Sequence, residues 1–357
     1  MLSKPIFVVG HPRSGTSLAR SLLERSPEVW TIGREGKPIW ERWLHPSAHG
    51  WHSNHVAPEA AVPELVDKLR NALLAAARRP GAEWTVVDKL DFLEFMSAQG
   101  VDPFYYDVPE KDVRARFPVT PPEGPPTTRD GGELDEITPF CFPPRGPNPT
   151  RDELAGGIRV VEKSIQSCFR VEFLRKAFPD AKFVFVVRHP AASIASLMKA
   201  WLHPRMFFSY LVPETLNITN YSDVHPWGRS WWNLSLPPGW RDLVNLSLPE
   251  VCAENWRIHN EWVHRAWTAL KDSGDAVLLR YEDLLDDPAE VMAQVAAAVE
   301  LPYAKAWTEK ELPVVMTQSA PDPNKWREHE TEIRATFPRV AEVAAGFGYE
   351  VGERVPG

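Results

Sequence analysis

Four short apolar runs recur along this chain, each followed by a helical pattern, and that alternation limits the folds open to it. The runs are Ile6-Phe7-Val8-Val9, Arg159-Val160-Val161, Lys182 to Val187, and Ala276-Val277-Leu278-Leu279. Helices are expected over residues 17–25, 169–178, 190–200 and 288–299, with longer ones over 251–271 and 327–345. Pro190 and Pro288 suit the first turn of a helix, where no backbone donor is lost. The third run is apolar at almost every position, as a parallel strand covered on both faces should be. The pattern predicts an α/β fold, a three-layer sandwich with a central parallel sheet. Segments at about 40–157 and 201–249 read as insertions that cap one domain spanning residues 1–357. Within the first, residues 84–87 (Trp-Thr-Val-Val) read as an edge strand.

Composition narrows the partners. The chain has 357 residues, 43% hydrophobic and 25% charged, enough to bury a core. Its net charge of −8 supplies no global positive field, so neither nucleic acid nor an acidic membrane is expected as a partner. Any polyanionic ligand must be held by a local cluster of donors. Cys141, Cys168 and Cys252 form no metal or redox motif, which fits a reducing compartment. Residues 1–10 lack the pattern of a signal peptide, and no apolar run has the length of a membrane span. A cytoplasmic location is the expectation. The 35 prolines and 15 tryptophans concentrate in the insertions, with ten prolines between Pro118 and Pro149. Long irregular insertions of this kind form lids, binding walls or rigid surface loops.

The turn after the first strand carries the chemistry. Gly10-His11-Pro12-Arg13-Ser14-Gly15-Thr16-Ser17 lies between a buried strand and an amphipathic helix. There, successive backbone N–H groups and a helix N-terminus face a phosphate. The spacing is P-loop-like, yet Thr16 stands where a nucleoside triphosphatase has its lysine. The fixed charge is Arg13, inside the loop. That suits one phosphate bearing a sulfonate better than a triphosphate. Ser14, Gly15, Thr16 and Ser17 complete the candidate anion cradle.

The string Pro12-Arg13-Ser14-Gly15-Thr16-Ser17-Leu18 resembles the 5′-phosphosulfate loop of the sulfotransferases that use 3′-phosphoadenylyl sulfate (PAPS). PAPS carries a separate 3′-phosphate, so such an enzyme needs a second anion site. Arg188 ends the third strand, and Ser196 follows eight residues later in the next helix. This resembles the family's 3′-phosphate motif, with the arginine forking onto phosphate oxygens. Weaker matches are Arg280-Tyr281-Glu282-Asp283-Leu284, read as a structural corner, and Glu162-Lys163-Ser164. A third is Asn324-Lys325-Trp326-Arg327, whose Lys325 and Arg327 either fold over the 3′-phosphate or cap the last helix.

The resemblance implies an enzyme that moves a sulfonate from PAPS to a hydroxyl, or an amine, of a small acceptor. Arg13 stabilises the bridging oxygen and Lys163 polarises the sulfonate, so no metal is required. Cytosolic relatives place a histidine base where this chain has Ile165. Tyrosylprotein-type relatives use a glutamate after the loop, which nominates Glu35, with His11 and Glu41 as alternatives. His45, His49, His52 and His55 have spacings open to zinc, but Pro46 and Gly50 interrupt a helix there, and a loop is favoured. Two other readings stay open: a P-loop-like kinase, and a nucleotide-binding relative without turnover.

Overall fold

The computed structural model describes residues 1–33, 35–80, 146–202, 210–225, 227–308, 312 and 324–352. In chain order the first elements are β1 (Ile6–Gly10), α1 (Thr16–Leu23), β2 (Val29–Thr31), α2 (Lys37–Leu44), α3 (Pro63–Ala76) and α4 (Arg151–Gly156). Next come β3 (Arg159–Lys163), α5 (Val171–Ala177), β4 (Lys182–Val187), α6 (Pro190–Trp201), β5 (Tyr210–Leu211) and β6 (Trp231–Trp232). The last are α7 (Leu248–Leu270), β7 (Ala276–Arg280), α8 (Tyr281–Asp286), α9 (Pro288–Ala298), α10 (Glu330–Ala335) and α11 (Phe337–Ala345).

Five strands form one parallel sheet in the order β2-β3-β1-β4-β7. Side-chain alternation along each strand builds two cores, one per face. Phe7, Val9, Phe183, Phe185 and Val187 lie in one buried cluster with residues of α5, α6, α7 and α11. Ile6, Val8, Val184, Val186 and Leu279 lie in the other, with residues of α1 and α9. The expected three layers are therefore present. The chain leaves β1 toward β2 and leaves β4 toward β7, in opposite directions across the sheet. The topological switch point thus lies between β1 and β4, and a ligand crevice is expected beyond their carboxyl ends.

One expected helix changes. The single helix over 327–345 is broken into a 3-10 turn (Lys325–His329), α10 and α11. Pro338 cannot donate to the preceding turn and its ring would clash with it, so the helix restarts there. Among the described residues the sheet is edged by β2, which pairs with β3, and by β7, which pairs with β4; residues 84–87 lie outside the described set, as does most of the proline-rich stretch. The tryptophans of the second insertion turn inward. Trp201 packs edge-on to Trp232 at 5.1 Å, and Trp232 to Trp240 at 5.6 Å. All three are fully buried and belong to the cluster that covers the Phe7 face of the sheet.

Candidate functional site

The loop after β1 is a close-fitting piece of backbone. A side chain at Gly10 would put its Cβ 2.5 Å from the Val186 carbonyl oxygen, so only glycine lets the loop leave the sheet here. Arg13 takes φ 71°, a left-handed value that non-glycine residues seldom adopt and that marks functional strain. Gly15 follows at φ 99°, and α1 begins at Thr16 with no side-chain cap. Its first amides are therefore left for a ligand. The Ser14 hydroxyl is buried without a hydrogen-bond partner among the described residues.

Arg13 Nε donates to Ser196 Oγ at 3.0 Å, and Arg188 Nη1 donates to the Arg13 carbonyl at 3.2 Å. The two anion motifs, 175 residues apart in sequence, thus meet as one cluster over the switch point. The Arg188 guanidinium lies 4.5 Å from the Tyr281 ring centroid, and its Nε has no hydrogen-bond partner among the described residues. Tyr281 also closes over the loop: a Cβ at Gly15 would lie 2.2 Å from its ring. Trp256 Nε1 donates to the Arg188 carbonyl at 3.1 Å, fixing the strand end. Glu282 is the structural corner that was expected. It accepts from His189 N at 3.0 Å and from the Tyr349 hydroxyl at 2.6 Å, tying the start of α6 to the C-terminal segment.

One strand across, Lys163 ends β3 and its ammonium donates to the Glu35 carboxylate. Both side chains are nearly inaccessible, at 4% and 2% exposure. The second Glu35 oxygen accepts from Ile165 N at 3.1 Å, and Gly36 N donates to the Lys163 carbonyl at 2.9 Å. The segment bearing Glu35 is laced onto the end of β3. Glu162 holds it from the other side by accepting from Trp40 Nε1 at 2.9 Å. Gly36 permits this, since a Cβ there would overlap Glu162 Oε1. Burial raises the Glu162 carboxyl to about 8, against its ordinary value of 4.5.

A second ring of polar groups surrounds this pair. Lys37 is 3.4 Å from Glu41 and 4.1 Å from the Tyr210 ring centroid. The Tyr210 hydroxyl donates to Glu41 and accepts from Asn54 Nδ2 at 2.9 Å and Gln166 Nε2 at 3.2 Å. Arg170, 1% exposed, gives Nε to the Asn54 carbonyl at 3.1 Å. His11 is buried too: Nδ1 sits 2.5 Å from the Pro12 carbonyl oxygen, and burial lowers the ring to about 3. A histidine that resists protonation so strongly is a poor proton acceptor at neutral pH.

The model of the family described as "Sulfotransferase family" matches residues 5–239, a span that holds the loop with Arg13, Arg188 and the Lys163–Glu35 pair. The chain belongs to the sulfotransferase family. No curated protein gives a significant sequence match. Among solved structures, the chain is similar to the sulfotransferase domain from the curacin biosynthetic pathway, at 15% identity over 98% of this chain and 99% of that one, with TM-score 0.43. It is similar to a sulfotransferase from Mycobacterium avium at 15% identity over 99% and 79%, TM-score 0.43. Retinol dehydratase, in complex with androsterone and the inactive cofactor PAP, matches at 12% identity over 99% and 84%, TM-score 0.36. Residue roles do not transfer at such identities.

The sulfotransferase places its other nominated residues as follows. Lys325 and Arg327 lie on a 3-10 turn packed against α6, the helix that carries Ser196. Arg327 leans on Trp326 and sits 3.7 Å from Glu330. Arg34 lies outside the described residues. His45 accepts from Ser47 N at 3.2 Å and packs on Trp51 and Tyr210. Among the described residues no three His, Cys, Asp or Glu side chains are placed to hold a metal, and no helix is long and apolar enough to cross a membrane. Sequence reasoning missed Lys37, Tyr210, Asn54 and Arg170. Nothing local marks them, because they come from α2, β5 and loop segments far apart in sequence.

Proposed function

We propose that this sulfotransferase moves a sulfonate from PAPS to a hydroxyl, or an amine, of a small molecule and releases adenosine 3′,5′-bisphosphate. The observation that carries the reading is the meeting of Arg13, Arg188 and Ser196 over the switch point. One nucleoside monophosphate needs one anion site, whereas this cluster offers two: the loop Arg13 to Ser17 for the 5′-phosphosulfate, and Arg188 with Ser196 for the 3′-phosphate. Lys325 and Arg327 close over the 3′-phosphate from beside α6.

Transfer follows from the residues at the ends of β1 and β3. The acceptor oxygen attacks sulfur in line, the bond from sulfur to the 5′-phosphate oxygen breaks, and the acceptor proton passes to Glu35. Arg13 stabilises the charge that builds on the leaving oxygen, and Lys163 the sulfonate oxygens. Lys163 is engaged by Glu35. Arrival of the sulfonate gives the ammonium a new anionic partner and frees the carboxylate for the acceptor. Positive charge comes from side chains, so turnover should persist in EDTA.

The test compares thermal stabilisation by adenosine 3′,5′-bisphosphate, AMP and ATP, followed by transfer of labelled sulfonate from PAPS to a panel of alcohols, phenols and amines. The bisphosphate should stabilise most. Equal stabilisation by AMP would remove the 3′-phosphate assignment, and stronger stabilisation by ATP would favour a kinase.

A further inference from the structure

The buried charges around the reacting centre do not balance. Lys163 is paired with Glu35 and Lys37 with Glu41. The third carboxyl, Glu162, bonds to Trp40, and its burial keeps it protonated at neutral pH, since it is raised to about 8. The third cation is Arg170. It is 1% exposed, and among the described residues only its Nε is bonded, with no partner for Nη1 and Nη2. An isolated buried cation is costly, and buried donors left unpaired are rare in folded proteins.

The guanidinium faces the same network as the Lys163–Glu35 pair. Its charge acts on Glu41, Tyr210 and Glu162, and also on Lys37 and His45. A bonded path joins it to the end of β3: Ser164 to Gln166 at 2.6 Å, Gln166 to Tyr210, Tyr210 to Asn54, and Asn54 to Arg170. The only chain between Lys163 and Arg170 is Ser164 and the five-residue 3-10 helix Ile165–Phe169. Such a helix rises about 10 Å. With Nε held by Asn54, the two terminal nitrogens present a planar fork, the geometry that takes two coplanar oxygens.

We propose that Arg170 anchors an acceptor subsite for a carboxylate, so that the acceptor is a hydroxy acid whose hydroxyl reaches Glu35 and Lys163. This rests on the sulfonate-transfer reading and names its substrate class. The carboxylate supplies the missing negative charge and satisfies both orphaned nitrogens. An ordered water would satisfy donors without supplying charge, and that difference is measurable.

The experiment uses the full chain loaded with adenosine 3′,5′-bisphosphate and a graded series of ω-hydroxyalkanoates, each beside its methyl ester. Thermal shift reports binding without turnover, and labelled transfer from PAPS reports KM and kcat. At least one acid should bind about tenfold to a hundredfold better than its ester, the worth of a charge-assisted contact. Arg170→Gln should erase that preference through KM while bisphosphate stabilisation persists, and Arg170→Lys should keep part of it. If Arg170→Gln does not fold, the wild-type acid-to-ester ratio and Arg170→Lys still decide. Equal behaviour of acids and esters across the series, the outcome of a water-filled site, overturns the proposal, as does a preference that survives in Arg170→Gln. Failure of the parent reading looks different: the bisphosphate itself then gives no stabilisation.

Discussion

The two sides of the site hold their charges in opposite ways. On the proposed nucleotide side, Arg188 is only half-buried and reaches a carbonyl and an aromatic ring. No carboxylate lies within ion-pair distance of Arg188 among the described residues. On the acceptor side, Lys163 and Lys37 are buried against Glu35 and Glu41. Cations that bind a polyanion do best without an internal counter-ion, because the ligand then supplies the first one. Cations that act on the reacting group sit in a dry site and need a partner until substrate arrives. On the proposed reading, the contrast separates binding from chemistry.

The sharpest break of that contrast is on the acceptor side. Lys163→Ala and Glu35→Gln should each lower kcat by about 10²–10⁴-fold, the usual worth of a positioned proton or charge donor. Bisphosphate affinity, measured by calorimetry, should stay nearly unchanged. The assay needs an aliphatic alcohol, since an easily ionised phenol can hide the loss of a base. Full activity of Glu35→Gln on such an alcohol would move the base role to another group.

On the nucleotide side the effect should be smaller and should fall on binding. Arg188→Ala should weaken the bisphosphate about tenfold to a hundredfold, the worth of one charge-assisted contact, while AMP affinity changes little. A mutant that loses both ligands equally would show that Arg188 shapes the loop and reads no 3′-phosphate.

The buried groups also fix the pH response. Glu162 holds its proton up to about 8 when folded but releases it near 4.5 when unfolded. Between those values the unfolded state binds fewer protons, so stability falls as pH rises through the window. The slope is at most about 1.4 kcal/mol per pH unit. His11, His189 and His259 behave oppositely. Burial lowers them to about 3, 4 and 4, so the unfolded chain takes up their protons first and stability falls as pH drops below 6.5. Thermal melts should peak near pH 6.5, and Glu162→Gln should remove the decline between 6.5 and about 8 while steepening the fall on the acid side. An unchanged decline in that variant would place its origin elsewhere.

The smallest effect is expected at Arg327, which is half-exposed and close to Glu330. Arg327→Ala should leave the melting temperature nearly unchanged, as loss of a surface pair does, and weaken the bisphosphate only a few-fold. Titration at low and high salt would check it, because an exposed contact is screened. No change at either salt would leave Arg327 as a cap of the last helices.

Much of the frame was legible because it is local. The run Lys182 to Val187 is the β4 that was expected, bound for bound, since continuous apolarity between turn signals allows little else. The loop Gly10 to Ser17 was legible for the same reason: glycines at fixed offsets between a strand and a helix carry a backbone requirement. β2 was missed because three residues, Val29–Thr31, are too few to show a period. The break before α11 was missed because the apolar spacing runs on across Pro338.

The sequence by itself determined which residues bear charge beside each strand end, and so which could touch an anion. Only the tertiary structure decided which of them meet. Arg13 finds Ser196 and Glu35 finds Lys163 because parallel strands bring together strand ends separated by more than a hundred residues, while Arg170 finds no bonded carboxylate among the described residues. Counter-charge depends on that assembly, and no spacing along the chain encodes it.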